Sequence, residues 1–199
     1  MTPAATGLTV RTLATTAVVL LAIIVGLAGY TYVGFYNVAA SEPDPDFVRW
    51  SLETIRNNSI ERHAGHSVSP DRSLDDPEMI RTGGHHYKEE GCVDCHGGPG
   101  ISPAEFAKNM RPKPPDLTRA IATLDDAELY WIVQNGIKMT GMPAFGPTHS
   151  QEGLWAMVAF VRHLPEMSQS EYEKITEASE GEGHHQAAGE DYGPAASGK

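Results

Sequence analysis

The sequence predicts an all-α protein: one long apolar helix, then several short helices joined by proline- and glycine-rich loops. Three observations carry this reading. Residues 14–35, ATTAVVLLAIIVGLAGYTYVGF, hold no charged side chain, and as a helix they are long enough to cross a hydrocarbon core of about 30 Å. Asp44-Pro45 and Asp76-Pro77 each place an acidic N-cap before a proline suited to the first helical position. Near the end, Leu154, Met157, Val158 and Val161 repeat at helical spacing until Pro165 stops the run.

The apolar segment comes first. Residues 13–36 read as a single transmembrane helix, with residues 1–12 on the cytoplasmic side. Val38-Ala39-Ala40 would suit a signal peptidase. The h-region of a cleaved signal is shorter, however, about 7 to 15 residues, so a permanent anchor is the expectation. Tyr30, Tyr32 and Tyr36 gather at its C-terminal end, where aromatic residues meet lipid headgroups. Arg11 precedes the span, which puts everything after it outside the cytoplasm.

Residues 37–74 form an extracytoplasmic amphipathic helix and a linker. The helix starts at Asp44-Pro45, carries Val48, Leu52 and Ile55, and runs to about His63 as a spacer or as a docking helix for a partner. The linker, residues 64–74, is rich in Gly, Ser and Pro and has no apolar period. A second helix over residues 77–90 delivers the chain to Cys92.

Further on, Ser102-Pro103-Ala104-Glu105 reads as a capping box opening a short helix through about Asn109. Residues 111–120, RPKPPDLTRA, are expected to be an extended loop, because Pro112, Pro114 and Pro115 interrupt any helix. A helix over residues 125–135 ends at Asn135-Gly136, and the last runs over residues 151–164. Residues 169–199 are acidic and rich in small residues, and read as a disordered tail. His184-His185 within it has no evident specific role.

The net charge of -11 excludes a nucleic-acid binder, which needs clustered Lys and Arg. The two cysteines lie too close together to staple a large loop, so their role is chemical. They stand in Cys92-Val93-Asp94-Cys95-His96, and Cys-x-x-Cys-His is the attachment sequence of a c-type haem. A structural zinc site would need further thiolates or a spaced histidine pair, and a redox dithiol would want a βαβ context. One covalently attached haem c is therefore expected, with Cys92 and Cys95 as thioethers and His96 on the iron.

A sixth ligand is expected from Gly141-Met142-Pro143-Ala144-Phe145-Gly146, a turn-rich apolar loop offering a soft thioether. Met142 is favoured over Met139, because Pro143 holds the preceding residue extended, as a strap over a flat cofactor requires. Met110 and Met157 read as core filler. His63, His66, His85, His86, His149 and His163 are weaker candidates. His85 and His86 lie on the helix beside the motif and read as rim residues, and His163 as pointing to solvent.

These motifs resemble the class I c-type cytochromes, more particularly the short bacterial monohaem domains found as subunits of respiratory oxidases and dehydrogenases. The resemblance covers residues 77–167 within a cytochrome domain of residues 75–168. It implies a class I cytochrome c fold around the haem, and haem attachment on the outer, periplasmic side of a bacterial inner membrane. It also implies a close crossing of the first and last helices at Gly83, with Tyr87 and Phe160 meeting there, although Gly83 and Tyr87 stand one residue further from Cys92 than is common. A proline carbonyl, from Pro99 or Pro103, should orient His96.

The function expected is electron transfer between Fe(III) and Fe(II), with the haem buried among Leu129, Trp131, Ile132 and Phe145. The chain would be a carrier rather than an enzyme by itself, with membrane lipid and redox proteins of a respiratory or dehydrogenase complex as partners. The alternative is a gas sensor or peroxidase in which Met142 leaves the iron.

Overall fold

The structure is a computed structural model that describes residues 3–65, 70, 71 and 73–177, with side chains from residue 10 onward. It divides into two compact units, Met1–Pro45 and Asp46–Lys199. The expectations for His66, for most of the linker's centre and for His184-His185 fall on residues outside that description.

The first unit is built on α1, Pro3–Val33. Its stretch Val10–Val33 has a mean hydropathy of 2.3 and none of it is buried within the protein. It is long and apolar enough to cross a membrane, which fits a membrane anchor. Three of its threonine hydroxyls are satisfied internally: Thr15 and Thr16 donate to the carbonyls of Arg11 and Thr12, and Thr31 to that of Ala28. The helix stops earlier than residue 36, because Gly34 takes φ +73° and the Phe35 N–H turns back to the Tyr30 carbonyl at 3.4 Å. This is a glycine C-cap of the Schellman type.

The second unit contains α2 (Asp46–Ala64), α3 (Pro77–Glu89), α4 (Cys92–His96), α5 (Glu105–Lys108) and α6 (Leu117–Ala120). A 3-10 turn, Ile121–Thr123, leads from α6 to α7 (Asp126–Asn135), and α8 (Gln151–His163) and α9 (Gln169–Glu177) complete the unit. No strand occurs among the described residues; an isolated bridge joins Gly98 and Ile101.

The centre is α8, in which every residue from Gly153 to Val161 is buried. Its Ser150 N-cap accepts from the Gly153 N–H. Against it crosses α3, capped by Asp76. A Cβ at Gly83 would fall 1.9 Å from the Ala156 carbonyl oxygen and 2.8 Å from the Phe160 Cβ, so only glycine permits the approach. The rings of Tyr87 and Phe160 meet at 5.2 Å beside it. The crossing expected from the resemblance is present, and the one-residue offset does not disturb it.

On the far side, α7 packs on α8 through Tyr130 and Trp155, whose rings stack at 4.3 Å. Arg162 ties the two helices together: its guanidinium donates to the Asp126 carboxylate and to the carbonyls of Ile121 and Leu124. The C-terminal end of α2 docks on α7, burying Ile60 and Ala64 and laying His63 on Trp131 at 5.9 Å. Phe47, Trp50, Leu52 and Ile55, nearer its start, are exposed.

Three expectations are corrected. The tail is not structureless from residue 169, because α9 packs on α3: a Cβ at Gly84 would meet Ile175 Cγ2 at 2.4 Å, and Tyr172 is buried against Tyr87 and Phe160. Its start is a capping box, in which the Ser168 N–H reaches the Glu171 carboxylate and the Glu171 N–H reaches the Ser168 hydroxyl. Residues 111–120 are not all extended, since Asp116 caps α6 immediately after the prolines. Ser102 opens no helix; α5 starts at Glu105 after Ala104, without a side-chain cap.

Candidate functional site

The chain enters the site through a glycine. Gly91, at φ +71°, turns the end of α3 into the single turn α4, which presents Cys92, Cys95 and His96. Gly97 closes that turn at φ +69°, where a Cβ would press on the Ile101 carbonyl oxygen at 2.5 Å. Two further bonds hold the turn in place. The Tyr87 hydroxyl donates to the Gly97 carbonyl at 2.7 Å, and the Ala104 N–H donates to the Asp94 carbonyl at 2.9 Å.

The two thiols are free and not joined in a disulfide. Burial pushes the Cys92 thiol up to about 12, and burial together with the Asp94 carboxylate raises Cys95. Among the described residues, no group of three or more metal-ligating side chains includes either cysteine.

His96 Nδ1 lies 2.9 Å from the carbonyl oxygen of Pro115. Only an N–H can make that bond, so the proton sits on Nδ1 and the Nε2 lone pair is left for a metal. Burial lowers the His96 pKa, with the Pro115 bond acting the other way, and the ring is neutral at pH 7. The carbonyl belongs to neither Pro99 nor Pro103. Pro115 is fixed in place by its neighbour Asp116, whose carboxylate accepts from the Thr118 N–H and hydroxyl. Pro103 instead packs its ring on Gly97.

The Met142 segment is laid back on the end of α7. The Phe145 N–H donates to the Val133 carbonyl, the Gly146 N–H to that of Gln134, and the Ile137 N–H to that of Met142. A Cβ at Gly136, φ +63°, would meet Pro143 and the Met142 carbonyl within 2.7 Å, so the strap needs that glycine. Met142 is half-buried against the same core that receives Cys92 and Val93. Met139 is 96 % exposed. The Met110 methyl reaches Gly141, placing a second thioether beside the strap.

Of the core residues named from the sequence, Leu129 and Phe145 are buried, and Trp131 and Ile132 half-buried. His85 pairs with Glu89 at 2.8 Å, and His149 with Glu90 at 3.1 Å. His163 does not simply point outward: it is half-buried, bonded to the Ala159 carbonyl and 3.3 Å from Asp75. Sequence reading missed Pro115 and Arg162. Neither carried a signal in the sequence: the first acts through a backbone carbonyl, and the second through contacts that only the tertiary fold creates.

Free thiols on one turn, an imidazole whose second nitrogen is committed to a carbonyl, and a strapped thioether against the same core are a donor set that fits haem. Together with the glycine-mediated crossing of α3 and α8, they define a c-type cytochrome domain, whose work is haem-based electron transfer. Residues 78–161 match the family described as Cytochrome C oxidase, cbb3-type, subunit III. The matched segment opens in α3 and closes in α8, leaving α1, α2 and α9 outside it. No curated protein matches this chain.

Proposed function

We propose that this chain is a membrane-tethered monohaem cytochrome that carries single electrons, with Cys92 and Cys95 as thioether attachments and His96 and Met142 as axial ligands. The observation that carries the reading is the Nδ1–H bond from His96 to the Pro115 carbonyl, which leaves the Nε2 lone pair free for an iron. Haem, when bound, supplies the one-electron Fe(III)/Fe(II) couple. The protein's residues hold and tune it. His96 is kept neutral and oriented by the Pro115 carbonyl. Met142 supplies a soft sulfur from a strap anchored on Val133 and Gln134. If His96 and Met142 both held the iron, neither peroxide nor a gas would have an open position, and the haem would supply outer-sphere electron transfer. The thioether raises the potential relative to two histidines.

Arg11 before the span favours an extracytoplasmic haem domain on the periplasmic face of a bacterial inner membrane, with Arg49 beyond the span weighing the other way. The family's description supports association with a respiratory oxidase, to which a tether would add a high local concentration. Expression with a haem-attachment system tests covalent binding. Haem should stay with the wild-type chain through acid-acetone extraction and be released from Cys92→Ala/Cys95→Ala. Extraction from the wild type would refute covalent attachment.

A further inference from the structure

A group of metal-ligating side chains lies outside the haem ligand set: His86 in the last turn of α3, Glu90 at its C-cap, and His149, which leads from the Met142 strap into α8. Their ligand atoms all lie within 4.8 Å of one another. We propose that these three residues bind one zinc-class divalent cation, which clamps the end of α3 to the segment beyond Met142.

The geometry is close to what such an ion asks for. Bonds of about 2.0–2.2 Å at tetrahedral angles put neighbouring ligand atoms about 3.3–3.5 Å apart. His149 Nε2 and the Glu90 Oε1 are already 3.1 Å apart. His86 closes the triangle from the same side, its ring meeting that of His149 edge-on at 5.1 Å.

His149 is also held as a ligand should be. Its Nδ1 is 3.3 Å from the Phe145 carbonyl and 2.9 Å from the Thr148 hydroxyl, and its ring packs edge-on against Phe145 at 5.7 Å. An Nδ1–H committed there fixes the ring and aims Nε2 at Glu90. Only 10 % of the His149 side chain is exposed, so it has little freedom to swing away. The ion would take the place between Nε2 and the carboxylate, and any proton held there would leave to water. Burial, and then His149, lower the His86 pKa and keep its lone pair available.

Two imidazoles and one carboxylate select against magnesium and calcium, which prefer oxygen alone, and suit zinc, nickel or copper. The Glu90 side chain is 35 % exposed, so water or a partner's side chain can complete the shell. Glu90 stands two residues before Cys92, and His149 seven after Met142. The clamp therefore joins the two segments that carry the haem-site residues, although it does not depend on haem being present.

The test is calorimetric titration of zinc chloride into the haem-loaded, full-length protein in detergent, beside His86→Ala, Glu90→Gln, His149→Ala and the tail variant His184→Ala/His185→Ala. The expected result is one site per chain in the wild type and in the tail variant. Each single substitution should weaken it at least about tenfold with the haem spectrum unchanged. Glu90→Gln, on an exposed position, keeps the test valid if a histidine variant fails to fold. Zinc binding that is absent, that survives all three substitutions, or that disappears only with the tail histidines would overturn the proposal.

Discussion

His96 and Pro115 are nineteen residues apart in sequence and 2.9 Å apart in space, joined by a bond from the imidazole Nδ1–H to the proline carbonyl. The acceptor is backbone, so substituting Pro115 does not remove it. Its position depends instead on Asp116, which caps α6. Asp116→Ala should cost about 1 kcal/mol of stability, as lost N-caps do. Loosening the carbonyl weakens electron donation through the imidazole, so the midpoint potential of the loaded protein should also rise. Chemical denaturation and a redox titration on the same variant check both.

The crossing of α3 and α8 makes a sharper demand. Gly83→Ala improves helix propensity by about 1 kcal/mol. It also drives a methyl group to 1.9 Å from the Ala156 carbonyl, which cannot be accommodated without separating the helices. Overpacking of this kind costs about 1–3 kcal/mol or more. Net destabilisation is expected, visible as a lowered Tm, despite the better helix former.

Arg162 should behave as a linchpin. Its guanidinium makes three hydrogen bonds, one to the Asp126 carboxylate and two to the backbone carbonyls of Ile121 and Leu124. Arg162→Met keeps the stem and loses the fork, and should destabilise by about 2–3 kcal/mol. Arg162→Lys should recover less than half of that, since an ammonium cannot span all three acceptors. Equilibrium unfolding of the pair decides it.

Alkali should loosen the domain. Burial is the first cause that raises Tyr87, and it lifts Tyr172 to about 12; the charge on Cys92 adds to both only while that thiol is free. In the unfolded chain a tyrosine titrates near about 10. Above that pH the unfolded state sheds protons that the fold retains, so stability is whole below about pH 10 and falls from there through about 12. The slope approaches about 1.4 kcal/mol per pH unit for each tyrosine. Tyr172→Phe should flatten the decline in a pH series of unfolding midpoints; an unchanged slope would contradict the assignment.

Legibility in the sequence depends on where each signal resides. Asp76-Pro77 and the set Gly83, Tyr87 and Phe160 are local signals with fixed spacings, and the fold uses each as expected; the cysteine pair and its histidine come together on the single turn α4. Pro115 was illegible because its contribution is a carbonyl, which every residue has; only the tertiary path selects which one meets His96. The prolines before it masked α6, whose start depends on Asp116 alone. In α9, buried Tyr172 and Thr176 with half-buried Ile175 make a narrow inward stripe in an acidic, polar segment, so composition spoke for disorder while the Ser168-x-x-Glu171 box spoke for a helix. Local capping outweighed composition once α3 offered a glycine-lined surface.

The most direct test of the central claim is the ligand set of the loaded protein, read from oxidised and reduced visible spectra and from carbon monoxide binding to the reduced form. The account predicts the far-red charge-transfer band of a ferric iron–thioether bond in the wild type and no reaction with carbon monoxide. It further predicts loss of the band in Met142→His, with a lowered midpoint potential, and its retention in Met139→Leu. A wild-type protein without the band that binds carbon monoxide readily, or a band that survives Met142→His, would contradict the assignment of Met142 and with it the electron-carrier reading.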